Sequence, residues 1–542
     1  MKPRPPAERV YRGEPASPGL AIGALVRVPA PRPVVDDAGE PPAGAKLRLA
    51  AAIRQAKGEL SALIAAADAM GADILAFQHE LVDDPTLAEA ADSVIDRGMG
   101  AVSAWQAAIG EQIAVYESAD DEYFRARASD LADLRDRVIG VLCGAGNAVP
   151  RDVPDGAIVL AEDMTPSVFL SFDWRRLGGA ALTGGSRASH VAMLARARGV
   201  PLVTGLEIEP TAFVGDAVLD AHGGMLVVSP DATTRARYAS RIAENEELRR
   251  RARDWRSRPA VTAAGERIEV MVNIDDPGAI SDEILRASDG IGLLRTEFLF
   301  IGRERLPSED EQFNAYTRIL HRLGGKPAII RTLDVGGDKP LPGVNIAAES
   351  NPFLGLRGIR LCLEKPELFR PQVRALLRTG IDKALRVMLP MISTAAEVEE
   401  ARQVFADNLA DLQRAGVPAA MPLLGIMVET PAAAIAADLI DADFYSIGSN
   451  DLTQYVMAAA RDSGGRVARL NDPAHPSVIR LIERVVAHGR ASGKPVSLCG
   501  DMASDPALVP ILLDAGLRRI SVAPASLGRI KLAISKVGAS DG

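Results

Sequence analysis

The stretch Gly184-Gly185-Ser186-Arg187-Ala188-Ser189-His190, continued by Val191-Ala192-Met193-Leu194-Ala195-Arg196, runs a glycine-rich turn straight into a helical pattern. Free backbone N–H groups at a helix start, with the helix dipole behind them, attract anions. A neutral imidazole is a competent nucleophile near pH 7. His190 at that place could therefore accept a phosphoryl group whose oxygens the N–H groups then hold. A Ser189 N-cap beside an ordinary surface histidine explains the same stretch equally well.

Three arginines share a second pattern. Arg295 sits in Leu293-Leu294-Arg295-Thr296-Glu297, Arg331 in Arg331-Thr332-Leu333-Asp334, and Arg357 in Asn351-Pro352-Phe353-Leu354-Gly355-Leu356-Arg357. Guanidinium groups match carboxylate and phosphate oxygens in a planar fork. A single arginine after an apolar run suggests a salt bridge, for instance with Glu297 or Asp334. Three converging on one site suggest a phosphorylated, carboxylated substrate.

Glu429 closes the run Gly425-Ile426-Met427-Val428, and Asp451 follows Ser446-Ile447-Gly448-Ser449-Asn450. Two acids beside substrate oxygens suit Mg²⁺, which takes few protein carboxylates and keeps waters. No Cys/His cluster suits zinc. Asn450-Asp451 could equally cap a helix beginning at Leu452. Cys499, in Leu498-Cys499-Gly500-Asp501, could hand a proton to a carbanion or enolate, although a small buried core thiol is the simpler reading. His79, His222, His321, His475 and His488 read as surface or packing residues, with His79 a candidate partner contact.

Elements must carry these groups. Residues 1–30 read as an arm and short strands, before a Pro-rich loop from Val28 to Pro42. From Ala45 to Cys143 apolar residues recur at helical spacing, as in Leu131, Leu134, Val138 and Leu142, which predicts an all-α insertion. Residues 150–232 return to short β-like runs such as 157–160, 201–203 and 225–228. Thr233 to Arg256, rich in Arg and Glu, predicts one polar helix that serves as a linker. Eight apolar runs follow, at 268–274, 290–296, 328–334, 387–391, 423–429, 443–447, 495–499 and 519–523. Runs apolar on both faces suit a buried parallel sheet, and eight alternating with helices match a (β/α)₈ TIM-type barrel. Arg295, Arg331, Glu429, Asn450, Asp451 and Cys499 then fall at strand C-terminal ends, the functional face of that fold. The long stretch 335–386 fits the count least well.

The chain of 542 residues is 47% hydrophobic and 25% charged, ordinary for an α/β multidomain globular protein. With 62 Lys+Arg against 71 Asp+Glu, its net charge of −9 argues against a nucleic-acid binder. Three scattered cysteines make no disulfide framework and suit a reducing, cytoplasmic setting. The start Met1-Lys2-Pro3-Arg4-Pro5-Pro6 lacks a secretory pattern, and no run is long and apolar enough for membrane insertion.

Taken together, the sequence resembles the phosphoenolpyruvate-protein phosphotransferases, the enzyme I family of the bacterial sugar phosphotransferase system. The resemblance rests on Ala16-Ser17-Pro18-Gly19, Asp120-Asp121-Glu122-Tyr123, Asp163-Met164-Thr165-Pro166-Ser167, Ser189-His190, Leu294-Arg295-Thr296-Glu297-Phe298-Leu299 and Gly448-Ser449-Asn450-Asp451-Leu452-Thr453-Gln454-Tyr455, in that order. It implies an N-terminal α/β swivelling phosphohistidine domain (1–43 and 144–232) and a helical subdomain that binds the carrier protein HPr (44–143). A helical linker (233–258) and a phosphoenolpyruvate-binding, dimerising barrel (259–542) would complete the chain. It further implies that Arg295, Arg331, Arg357 and Arg461 clamp phosphoenolpyruvate with help from Asn450. Glu429 and Asp451 would bind Mg²⁺, His190 would take the phosphoryl group and Cys499 would protonate the departing enolate to pyruvate. Homodimers are implied through the barrel.

The sequence departs from the family pattern at four places. Ala188 stands where a threonine is usual, Ser186 where a glycine is, Ala460 where an acid precedes the clamp arginine, and Asp501 where Glu follows Cys-Gly. Related dikinases and synthases need a nucleotide-binding domain, for which no length remains, and a nitrogen-regulatory enzyme I would add a sensory domain before the match at Ala16. A non-catalytic regulator needs neither a nucleophile nor a proton donor.

Overall fold

The computed structural model describes residues 8–28, 37, 39–66, 69–117, 122–144, 153–187, 189–208, 215–300, 303, 305–336, 344, 349–381, 384–460 and 465–538. The chain divides into two compact units, residues 1–245 and 246–542.

The first unit is built on an eight-stranded sheet of β1 (Arg9–Arg12), β2 (Glu14–Ser17), β3 (Leu20–Arg27), β4 (Ile158–Ala161), β5 (Gly179–Leu182), β6 (Leu202–Thr204), β7 (Gly215–Asp220) and β8 (Met225–Val228). Their spatial order is β1-β8-β7-β3-β4-β5-β6-β2. Strands β3 to β6 run parallel, and β7 and β2 flank them antiparallel. The inner strands β4, β5 and β6 are buried along their whole length, as parallel strands covered on both faces must be.

Between β3 and β4 the described residues form five helices: α1 (Pro42–Ala66), α2 (Ala69–Val82), α3 (Pro85–Ile95), α4 (Ala101–Glu117) and α5 (Glu122–Leu142). They enclose their own apolar core around Leu60, Trp105, Ile109, Leu131, Leu134 and Val138, the last three being residues whose helical spacing is visible in the sequence. Asp84 caps α3 by accepting from the Thr86 N–H, with Pro85 at its first position, where no N–H is needed. Helix α6 (Pro166–Ser171) and helix α7 (His190–Arg198) pack on the sheet. The polar helix α8 (Ala232–Arg256) spans the division between the units.

The second unit contains a closed barrel of eight parallel strands: β9 (Glu269–Ile274), β10 (Ile291–Leu294), β11 (Ala328–Arg331), β12 (Leu385–Leu389), β13 (Leu423–Val428), β14 (Tyr445–Gly448), β15 (Val496–Cys499) and β16 (Arg519–Val522). All eight apolar runs form strands. Alternate residues separate into two cores. Val270, Ile330, Val387, Ile426, Ile447 and Leu498 face the surrounding helices, whereas Leu293, Ile329, Met388, Met427, Phe444 and Cys499 fill the barrel interior. Gly425 is required there, because a β-carbon would lie 2.5 Å from the Phe444 ring. Part of the stretch 335–386, the weak point of the strand count, forms helices Ile359–Glu364 and Pro366–Thr379, and β11 pairs directly with β12, so among the described residues this stretch adds no strand to the barrel. Among the described residues no helix is long and apolar enough to cross a membrane.

Candidate active site

In the first unit, β5 ends at Leu182 and the chain turns through Gly184 and Gly185 toward α7. Gly185 takes φ +75°, left-handed backbone that glycine adopts without strain. Ser189 is the N-cap, its hydroxyl accepting from the Ala192 N–H at 3.2 Å, so helix α7 opens on His190 itself. The capping role and the placement of the histidine at a helix start hold together. His190 Nδ1 lies 3.1 Å from Oδ1 of Asp130 on α5. The imidazole is 15% exposed and the carboxylate fully buried. Donation from Nδ1–H to the carboxylate assigns the lone pair to Nε2. One turn along α5, Asp133 accepts from both the backbone N–H (3.1 Å) and the hydroxyl (2.6 Å) of Ser167, and from Gln78 Nε2 at 3.0 Å. The two acids of α5 thus tie the helical insertion to the α/β layer beside the histidine. Asp130 is missed by motif reasoning. Its signal is an acid next to the apolar stripe Leu131-Leu134-Val138, which spacing alone cannot distinguish from a solvated face.

In the second unit the C-terminal strand ends surround a cavity of about 850 Å³. Its floor is an alternating chain of charges. Glu297 Oε1 accepts from Arg331 Nη2 at 2.9 Å and from the Asp334 N–H at 3.0 Å. Asp334 Oδ2 also pairs with Arg331 Nη1 at 2.8 Å and with Arg357 Nη2 at 3.1 Å, and Arg357 Nη1 lies 3.8 Å from Asp451. Burial works against the charge of both guanidinium groups. The Asp334 carboxylate, joined by Glu297 at Arg331 and by Asp451 at Arg357, outweighs it, so both pKa values rise. These arginines are fixed cations at working pH, oriented before any ligand arrives. Arg295 stands at the rim, more exposed, paired with Asp275 at 2.7 Å. Arg357 also reaches Tyr455 Oη at 3.4 Å, and that hydroxyl donates to the Phe353 carbonyl at 2.6 Å. The salt bridges of Arg331 to Glu297 and Asp334 are both present, and the arginine they hold still lines the cavity.

Glu429, at the end of β13, is 1% exposed and accepts from the Met391 N–H at 2.6 Å. Met391 delivers that N–H with φ +58°, a strained conformation for a side-chain-bearing residue. Burial, then the neighbouring charges of Asp334 and Asp451, push the Glu429 carboxyl up to about 8, against the pull of Arg331. Negative charge is therefore under-compensated at this point. That excess fits a hard divalent cation such as Mg²⁺, held by two carboxylates and completed by water and ligand oxygens. Among the described residues no group of three or more His, Cys, Asp and Glu converges as an all-protein metal cage.

The helix carrying Asp451 begins at Ser449, not Leu452, and its N-cap position, Gly448, makes no side-chain cap. Asn450 and Asp451 thus lie in its first turn, which corrects the capping alternative. The Ser449 hydroxyl is already committed to the Cys499 carbonyl, at 2.8 Å. Cys499 is 2% exposed, and its Sγ lies 3.5 Å from the Ile447 carbonyl. Burial pushes the thiol up to about 11, so it keeps its proton at neutral pH. Asn450 and Asp501 hold each other: Asn450 Nδ2 donates to Asp501 Oδ2 at 3.2 Å, and the Asp501 N–H donates back to Asn450 Oδ1 at 2.9 Å.

One cavity therefore gathers Arg295, Arg331, Arg357, Glu429, Asn450, Asp451 and Cys499. Arg461 and Ala188 lie outside the described residues. His190 belongs to the other unit.

Three family models match the chain: the N-terminal domain of PEP-utilising enzymes over residues 12–127, their mobile domain over 153–224 and their PEP-binding domain over 249–539. A phosphoenolpyruvate-protein phosphotransferase of Geobacillus stearothermophilus is 38% identical over 532 residues, covering 96% of this chain and 92% of its own. The protein of that name from Bacillus subtilis (strain 168) is 36% identical over 540 residues, covering 97% and 94%. Among solved structures, an NMR solution structure of Enzyme I aligns with 44% of this chain and 99% of its own at 27% identity, with a TM-score of 0.36.

Proposed function

The chain belongs to the phosphoenolpyruvate-protein phosphotransferase family, and from that premise we propose that it moves the phosphoryl group of phosphoenolpyruvate first to its own His190 and then to a histidine of an HPr-type carrier, the opening step of a sugar phosphotransferase system. The observation that carries this reading is the pairing, within one chain, of a histidine opening a helix behind a glycine turn with a barrel mouth that presents buried arginines beside under-compensated carboxylates.

In this reading Arg295, Arg331 and Arg357, with Arg461, grip the phosphate and carboxylate of the substrate, and Asn450 assists. Glu429 and Asp451 would hold Mg²⁺, which would supply positive charge to offset that of the phosphate. Nε2 of His190 forms the bond to phosphorus as the bond from phosphorus to the enol oxygen breaks, and the electron pair stays with that oxygen. Asp130 steadies the imidazole and favours the charge it gains. The enolate takes its proton at carbon from the Cys499 thiol, giving pyruvate, and water restores the thiol proton. A group held up to about 11 is protonated when the enolate forms.

His190 serves two partners, so residues 1–43 with 144–232 act as the swivelling domain, 44–143 as the carrier-docking subdomain, 233–258 as the linker, and 259–542 as the substrate-binding and dimerising barrel. Exposed Ile435 and Leu439 on the barrel unit support a homodimer, and the scattered thiols support a cytoplasmic protein. The test is incubation with phosphoenolpyruvate labelled in its phosphate, plus Mg²⁺. The protein gains an acid-labile, base-stable label that His190→Ala abolishes. A label that needs ATP, or that persists in His190→Ala, overturns the reading.

A further inference from the structure

The backbone pairing of β10 with β11 ends at Leu294 opposite Ile330. Arg295 and Arg331 are the next residues of each chain. Past that point side chains join the two strand ends. On the cavity side Glu297 does so, accepting from Arg331 and from the Asp334 N–H. On the side of the surrounding helices the link is Gln372, on the helix Pro366–Thr379. Its Oε1 accepts from the Leu333 N–H at 2.9 Å, and its Nε2 donates to Thr296 Oγ1 at 3.2 Å. Thr296 stands between Arg295 and Glu297, and Leu333 directly precedes Asp334. One amide therefore spans the two segments that carry the charges of the cavity.

Its place in the helix is an unusual one for an amide. Gln372 is 0% exposed and lies on the apolar stripe of Leu368, Phe369, Val373 and Leu376. A leucine or methionine would pack there with no polar group to satisfy. The amide is instead fully provided for. Nε2 also donates to Tyr316 Oη at 3.2 Å, and that hydroxyl donates to Gln312 Oε1 at 3.0 Å. Thr296 and Tyr316 are as completely buried as Gln372, so bulk water replaces none of these bonds. A buried polar network with every member satisfied holds one geometry.

We propose that Gln372 is a positioning residue for phosphoenolpyruvate binding: its amide, through Thr296 and Leu333, sets the spacing of Arg295 from Arg331 and so the fit of the phosphate between them. The proposal rests on the function proposed above. Tyr316 bonds to the same amide but to neither arginine-bearing segment, so it separates positioning from stability.

The test compares Gln372→Met, Thr296→Val and Tyr316→Phe, each in the full chain carrying His190→Ala so that no phosphoryl group moves. Calorimetric titration with phosphoenolpyruvate and Mg²⁺ reads affinity, and its stoichiometry reads the folded fraction. Melting by calorimetry reads stability. All three variants lose a buried hydrogen bond and should melt at lower temperature. Gln372→Met and Thr296→Val should also weaken binding about tenfold at full stoichiometry, the worth of one well-aligned hydrogen bond to a charged group. Tyr316→Phe should bind within about twofold of the parent. With His190 restored, KM for phosphoenolpyruvate should divide the variants in the same way. Equal affinity in the parent, Gln372→Met and Thr296→Val would make the amide purely structural and overturn the proposal, as would Tyr316→Phe weakening binding as much as Thr296→Val. Should Gln372→Met fail to fold, the pair Thr296→Val and Tyr316→Phe decides. A parent that binds no phosphoenolpyruvate would overturn the proposed function itself, and this inference with it; a parent that binds while Thr296→Val binds equally overturns the inference alone.

Discussion

Substituting Gly500 by alanine offers a sharp test of how the barrel mouth is positioned. Gly500 follows Cys499 with φ +102° and ψ −177°, a region essentially reserved for glycine. A β-carbon there would lie 2.4 Å from Ser449 Oγ and 2.7 Å from Asn450 Oδ1, where ordinary contact begins at 3.4 Å. Relief requires displacements of about 1.0 Å and about 0.7 Å. Both groups matter: Ser449 Oγ donates to the Cys499 carbonyl, and Asn450 lines the cavity. A misplacement of about 1 Å costs roughly 100-fold in rate, so Gly500→Ala should lower single-turnover pyruvate release by about that factor. The backbone strain of about 1–3 kcal/mol corresponds to a fall in the melting temperature of roughly 2–5 °C for a domain this large, so the variant should stay folded at 25 °C. Rapid-quench measurement of pyruvate, with calorimetry as the folding control, reads both. A folded variant within about threefold of the parent rate would refute the claim that this contact sets the positions of Asn450 and Cys499.

Asp130→Asn should slow self-phosphorylation of His190 by about tenfold or more, the worth of a hydrogen bond to a charged partner, with little change in KM for phosphoenolpyruvate; an unchanged rate would remove Asp130 from the imidazole's support. Cys499→Ala should retain substrate binding and slow pyruvate release, and normal turnover would end the proton-donor role. Chelation by EDTA should abolish labelling of His190 and Mg²⁺ should restore it, whereas labelling that survives thorough chelation would contradict the role given to Glu429 and Asp451. Asp220 is buried, which alone would raise its carboxyl pKa, but Arg241 at 2.8 Å and the Gly223 N–H hold it below the usual range. Its contribution to stability is therefore complete above about pH 4 and is lost as pH falls through the lowered value, so Arg241→Met should reduce stability at neutral pH and narrow the gap to the parent in acid; a gap that widens in acid would refute the assignment.

The sequence by itself determined the barrel, the helical insertion and most of the cavity's residues. Strands buried on both faces leave continuous apolar runs, so Val270, Ile330 and Ile426 announce themselves locally, and a polar group at the end of such a run is conspicuous. Arg331, Glu429 and Cys499 were legible for that reason, and Ser189 because an N-cap is a property of four neighbouring residues. Tertiary structure decided what depends on partners distant in the chain. Asp130 meets His190 across 60 residues, and Met391 reaches Glu429 across 38. Asp334 joins Arg331 to Arg357 because the backbones of Gly336 and Arg357, 21 residues apart, pair with each other. The start of the helix at Ser449 rather than Leu452 also needed the fold, because the Ser449 hydroxyl is drawn to a carbonyl 50 residues away. Apolar periodicity reports which face is buried. It carries no information on which polar groups meet there, and that meeting sets their charge, orientation and chemistry.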